Sequence, residues 1–109
     1  MAPRLTAEFW VAAYLARLRL ADIPAFVTAK GAAEAGAVLV KSNTLNGQAQ
    51  LWQRSFGLDG ARKWRVLAEG QDSAVEESIA RQKAFDPDLW VVEVEDRDGR
   101  TLLDEEGLA

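Results

Sequence analysis

The short spacing between β-strand signals is the feature that most constrains the fold of this chain. Asn46-Gly47, a dipeptide typical of two-residue hairpin turns, separates a β-branched segment at Ala37–Lys41 from a second strand at Ala49–Arg54. A third strand follows at Lys63–Ala68, after a glycine-containing loop. Connections this short do not carry the chain back across a sheet, so we expect successive strands to pair antiparallel.

Helix signals lie on both sides of these strands. Thr6 is a good N-cap for a helix over Ala7–Ala21, which ends before Pro24 because proline disfavours helical geometry at the preceding residue. Ser73 and Glu76 have the spacing of a capping box, in which the hydroxyl and the carboxylate satisfy backbone N–H groups of the first turn. They predict that a second helix begins at this point.

Two further strands complete the pattern. Ala25–Ala29 is a short apolar run, and Leu89–Glu95 alternates so that Trp90, Val92 and Val94 share one face. We therefore predict an α+β fold, with an antiparallel sheet of about five strands and both helices on one face of it. Residues 1–109 are expected to form a single domain, with a short edge strand at 101–103 and a frayed tail over about 104–109.

The first helix is apolar on two sides. A narrow stripe and a broader stripe are separated by charged residues; the narrow one comprises Phe9, Ala13, Ala16 and Leu20, and the broader one Trp10, Val11, Tyr14, Leu15 and Leu18. A helix on the surface of a small monomer needs only one such stripe. Either the helix is sandwiched inside the domain, or it forms a symmetric dimer or binds another protein. The candidate interface residues are Trp10, Val11, Tyr14 and Leu18.

The chain of 109 residues contains no histidine and no cysteine. This composition excludes the usual zinc centres, haem held by His or Cys, cysteine-bound iron–sulfur clusters, and Ser-His-Asp or Cys-His catalysis. We expect a non-catalytic protein that uses neither a cofactor nor a metal. A carboxylate-dependent enzyme is one alternative, since Glu93 and Glu95 share a strand face.

Charge is distributed unevenly along the sequence. Residues 1–65 carry nine Lys and Arg against four Asp and Glu, whereas residues 66–109 carry four against thirteen. The first half could therefore hold a local basic patch for nucleic acid, although the formal net charge of −4 does not favour general nucleic-acid binding. The candidate ligand face, whose indole would stack on bases, consists of Trp52, Arg54, Lys63 and Arg65.

No apolar run approaches the length of about 20 residues that a membrane span needs, and the N-terminus lacks the apolar core of a signal peptide, so we expect a cytoplasmic protein.

Four segments resemble a known bacterial family. They are 10–15 (WVAAYL), 34–41 (EAGAVLVK), 79–82 (IARQ) and, above all, 85–99 (FDPDLWVVEVEDRDG). On these residues the chain is similar to domain-of-unknown-function family 1491, over about Arg4 to Leu103. The resemblance implies a stand-alone cytosolic domain with no established activity, cofactor or catalytic residues.

Overall fold

The computed structural model describes residues 6–56 and 62–105 of the chain. Over these residues the chain forms two α-helices and one five-stranded sheet, which confirms the predicted α+β class. The loop at 57–61 and the tail residues 106–109 lie outside the described residues. In chain order the elements are α1 (Ala7–Leu20), β1 (Ala25–Ala29), β2 (Val38–Asn43), β3 (Gln48–Phe56), β4 (Arg62–Gln71), α2 (Asp72–Phe85) and β5 (Trp90–Glu95).

The strands lie in the order β1-β5-β2-β3-β4. As expected, β2, β3 and β4 form an antiparallel meander whose first turn contains Asn46-Gly47, with Gly47 at a φ of 84°. β5 inserts between β1 and β2, and it pairs antiparallel with β1 but parallel with β2. This one parallel pairing was not predicted. It is allowed because more than a third of the chain, including α2, separates β2 from β5.

The two helices lie on opposite faces of the sheet, which corrects the prediction that both cover one face. Val40 and Val92 pack in a core with α1, whereas their strand neighbours Leu39 and Val91 pack in a second core with α2. Alternate residues of a strand point to opposite faces, so β2 and β5 are buried on both sides. Near-continuous apolar segments are typical of such doubly covered strands.

The two helix starts differ in how well local sequence predicts them. The Phe9 backbone N–H donates to Thr6 Oγ1 at 3.1 Å, which confirms the predicted cap of α1. The capping box at Ser73 is wrong, because α2 already begins at Asp72 and its N-cap, Gln71, makes no side-chain capping bond. The Glu76 carboxylate, which the motif requires at the helix start, instead forms an ion pair with Lys41 of β2.

The segment after β5 closes the core beneath α1. The predicted edge strand at 101–103 is not formed, and the chain instead makes a turn at 103–104. The Tyr14 hydroxyl donates to the Thr101 carbonyl at 2.7 Å, and the buried Leu103 packs in the α1 core. Leu102 has a φ of 59°, a left-handed conformation that is strained for a residue other than glycine.

No helix in the described ranges is both long and apolar enough to cross a bilayer.

Candidate functional site

The broad apolar stripe of α1 forms the core of the chain. Trp10, Val11, Tyr14 and Leu18 are all buried, and they pack against the sheet with Val40 and Val92. This position corrects their assignment as a candidate interface: in the folded chain their surfaces are already covered by its own strands. Of the alternatives given for α1, packing inside the domain is therefore the one that describes this stripe.

The narrow stripe of α1 has a different environment. Phe9 is 60% exposed and Leu20 is 86% exposed, although both are large apolar residues. Ala16 between them is exposed and Ala13 is half-buried. With about 3.6 residues per turn, these four positions project from the side of α1 that faces away from the sheet. The chain thus leaves one of the two predicted apolar stripes uncovered.

An aromatic and cationic cluster lies where α1 meets the β3–β4 hairpin. The Trp10 ring stacks on the Tyr14 ring at a centroid distance of 4.9 Å, and it lies 5.4 Å from the Trp64 ring. The guanidinium carbon of Arg54 lies 4.8 Å from the Trp10 centroid and 5.2 Å from that of Trp64. Cation–π attraction of this kind fixes the guanidinium against the two indoles.

The candidate ligand face is divided between the two faces of the sheet. Arg54 pairs with Trp64 across β3 and β4, so Arg54 and Trp52 share the face of Trp64. Lys63 and Arg65 alternate onto the other face, where Arg65 Nη2 donates to Gln53 Oε1 at 3.3 Å. The predicted stack of one indole among three cations is therefore not assembled.

A cavity of about 740 Å³ lies beside Trp52 and Trp64. Its other wall is the segment at 98–104, and Lys63 reaches its border from the edge strand β4. Trp52 Nε1 is buried, and it has no hydrogen-bond acceptor among the described residues. Sequence reasoning singled out Trp52 but missed the cavity, because the wall at 98–104 comes from a distant part of the chain that carries no recognisable motif.

Lys41 is a buried cation on the α2 face of the sheet. Its Nζ lies 2.5 Å from Asp72 Oδ1 and 3.6 Å from Glu93 Oε1, and it also binds Glu76 Oε1. Burial alone lowers the pKa of Lys41, but hydrogen bonds to Asp72 and Glu76 and the charge of Glu93 outweigh it and leave that pKa above its ordinary value. An ammonium held in its protonated form is unsuited to nucleophilic or Schiff-base chemistry, which needs the free amine.

Two other carboxylates, those of Asp96 and Glu93, are held by neighbouring side chains. Hydrogen bonds from the Arg100 side chain hold the pKa of Asp96 below its usual value, the opposite of what a general acid needs. Glu93 is engaged by Lys41 and by Asn43 Nδ2, which donates to its Oε2 at 3.0 Å. Within residues 6–56 and 62–105, no cluster of three or more Asp or Glu side chains is arranged to hold a metal ion.

The fold is that of a small α+β domain with a five-stranded mixed sheet between two helices. The chain belongs to the DUF1491 family, described as "Protein of unknown function (DUF1491)", whose sequence model matches residues 5–104. The resemblance found in the sequence is thereby confirmed. No function is assigned to this family, and no functionally curated protein matches the chain.

Solved structures from two bacteria have the same fold. A crystal structure of a DUF1491 family protein from Caulobacter crescentus CB15 is 40% identical, with a TM-score of 0.86 over 94% of this chain and 97% of that one. An NMR structure of a DUF1491 family protein from the same organism is also 40% identical, with a TM-score of 0.82 over 95% of this chain and 96% of that one. The solution structure of protein Atu0922 from A. tumefaciens is 29% identical, with a TM-score of 0.73 over 85% and 86%.

Proposed function

We propose that this protein is a non-catalytic interaction module of the bacterial cytoplasm that acts as a homodimer through the uncovered stripe of α1. The observation that carries the proposal is the exposure of Phe9 and Leu20, at 60% and 86%, on the side of the helix opposite its buried residues. Contiguous exposed apolar surface of this kind marks interaction sites more often than it occurs on isolated monomers.

The stripe is self-complementary when two copies meet antiparallel. Its four positions are symmetric about the midpoint between Ala13 and Ala16, so Phe9 of one copy faces Leu20 of the other. The two alanines lie at the centre, where small side chains let the helices approach closely. Closed two-fold symmetry requires such a match of a surface with itself.

Charges beside the stripe favour the same arrangement. Glu8 and Arg19 project from the same flank of α1, and in an antiparallel pair that flank faces its own copy. Glu8 of one helix then lies within about 3 Å, along the helix axis, of Arg19 of the other. Two symmetric ion pairs would result, whereas a parallel two-fold pair would place Arg19 of one helix near Arg17 of the other.

The dimer is expected to be weak. One pair of helices with 14 residues each buries less than the standard interface of about 1,600 Å², so we expect a dissociation constant of about 10 µM or higher. Sedimentation equilibrium over about 1 µM to about 1 mM protein tests this expectation. A wild-type protein that stays monomeric over the whole range refutes the proposal.

Two sets of variants locate the interface. Leu20→Glu should weaken the dimer at least about tenfold, whereas Phe85→Glu, an equally exposed apolar position on α2, should leave it unchanged. Glu8→Arg should also weaken it, and the double variant Glu8→Arg with Arg19→Glu should restore it. A dimer that survives Leu20→Glu, or a double variant that remains monomeric, contradicts the antiparallel arrangement.

A further inference from the structure

We propose that the cavity between Trp52, Trp64 and the segment at 98–104 binds a small, uncharged, planar heteroaromatic molecule that accepts a hydrogen bond from Trp52 Nε1. This inference concerns a different surface from the exposed stripe of α1 and does not depend on dimer formation. It rests on the size of the cavity, its lining, and one buried donor that lacks an acceptor.

The size and lining suit a small organic ligand. The volume of about 740 Å³ falls within the range of about 300–1,000 Å³ that is typical of small-molecule sites. Two indoles with Leu102 and Leu103 supply the apolar part of the lining, and the polar part comes from Lys63, Asp98, Arg100, Thr101 and Asp104. Apolar walls with a few polar groups are the usual composition of such sites.

The charges around the cavity select an uncharged ligand. Lys63 and Arg100 border it with positive charge, and Asp98 and Asp104 border it with negative charge, so the formal charges cancel. Arg100 is also paired with Asp96, to which its Nη2 donates at 2.9 Å, so no excess of positive charge borders the cavity. A phosphate-rich strand needs a net excess of cations, which supplies most of its affinity. The balance therefore favours a free heterocycle over nucleic acid.

The buried Trp52 N–H specifies an acceptor on the ligand. Trp90 Nε1, by contrast, donates to the Ala32 carbonyl at 2.8 Å, as a buried indole N–H normally does. A buried donor without an acceptor is costly, and ring nitrogens or carbonyl groups of heterocycles provide one. Trp52 Nε1 is shielded from solvent, so binding through it requires the groups that cover it to shift.

The wall has a feature that allows such a shift. Leu102, which lines the cavity, has a left-handed φ of 59° although it is not a glycine. Strained backbone of this kind clusters at ligand clamps, where binding exchanges one conformation for another. We expect ligand binding to move the turn at 101–103 while the Tyr14–Thr101 bond holds its base.

Nuclear magnetic resonance of the full-length, isotopically labelled chain gives a direct test. Its four tryptophans give four indole N–H signals, and Trp52→Phe identifies that of Trp52. Adenosine, thymidine and indole are titrated separately, and we expect a dissociation constant of about 0.1 mM for adenosine. At least one of the nucleosides should shift the Trp52 N–H signal downfield in a saturable manner, as formation of a hydrogen bond requires.

Variants and a second probe separate the alternatives. Trp52→Phe keeps an aromatic ring and loses the N–H, so it should weaken nucleoside binding about tenfold. Phe85→Ala, which alters an exposed aromatic far from the cavity lining, should leave binding unchanged. The proposal is overturned if neither nucleoside shifts the Trp52 signal, if Trp52→Phe binds as well as wild type, or if a twelve-nucleotide oligomer binds far more tightly with a steep salt dependence.

Discussion

The buried ammonium of Lys41 provides the sharpest test of how this fold is held together. The Lys41 side chain is 3% exposed, whereas those of its partners Asp72, Glu76 and Glu93 are 44%, 50% and 18% exposed. Breaking a buried ion pair by removing one partner costs about 3–5 kcal/mol, because the other charge remains buried. Asp72 and Glu76 are about half-exposed, so both regain water when Lys41 is replaced. Most of the cost should therefore come from Glu93.

These exposures set the expected magnitudes. Lys41→Met keeps much of the side-chain volume but leaves Glu93 without its cation, so we expect it to lower the free energy of unfolding by about 2 kcal/mol. Lys41→Ala also creates a cavity and should cost about 3 kcal/mol or more. Adding Glu93→Gln to Lys41→Met removes the uncompensated charge and should recover about half of the loss.

Urea unfolding at pH 7, followed by circular dichroism, measures all three variants against wild type. The slope of unfolding free energy with urea should stay unchanged, so that the differences report stability alone. If Lys41→Met is as stable as wild type, or if Glu93→Gln lowers the stability of Lys41→Met further, the assignment of the cost to Glu93 is wrong.

One pH dependence and three substitutions test the remaining structural arguments. Burial raises the pKa of Tyr14, the sole tyrosine, and the pKa of Lys41 is raised as well. The stability that these two groups contribute is therefore present below about pH 10 and lost above it. Tyrosinate absorbance should appear only together with alkaline unfolding. Thr6→Ala removes the cap of α1 and should lower the unfolding free energy by about 1 kcal/mol in urea titrations. Gly31→Ala would place a Cβ 2.1 Å from the Asp88 carbonyl oxygen, so it should lower the free energy of unfolding by about 3 kcal/mol or more in thermal unfolding. Gly47→Ala, with no neighbouring atom within 4 Å, should lower it by about 1 kcal/mol.

Features set by a few neighbouring residues were predictable from the sequence. The Thr6 cap, the Asn46-Gly47 turn and the shared face of Trp90, Val92 and Val94 all appear in the structure as expected. Each depends on local backbone geometry or on strand alternation, which the sequence states directly. The two apolar stripes on α1 were also predictable. Which of the two is buried was not, because that depends on which strands lie beneath the helix.

Features set by long-range pairing were not predictable. The capping box at Ser73 lost its carboxylate because Glu76 binds Lys41, a residue 35 positions away. Arg65 falls on the opposite face from Trp52 because the hairpin register pairs it with Gln53 and pairs Arg54 with Trp64. Composition and alternation give no access to register across a loop, and a shift by one residue reverses the face of every side chain.

The insertion of β5 between β1 and β2 determines the order in which the strands of the sheet can pair during folding. While the polypeptide emerges from the ribosome, β2, β3 and β4 can join as a local meander, but the first strand has no neighbour until Trp90–Glu95 has been made. An interior strand of the sheet, β5, is thus its last part to form. Any fragment that stops before Trp90 leaves two unpaired strand edges open to aggregation, and assembly is expected to wait for distant contacts, as it does in slow-folding β-rich domains.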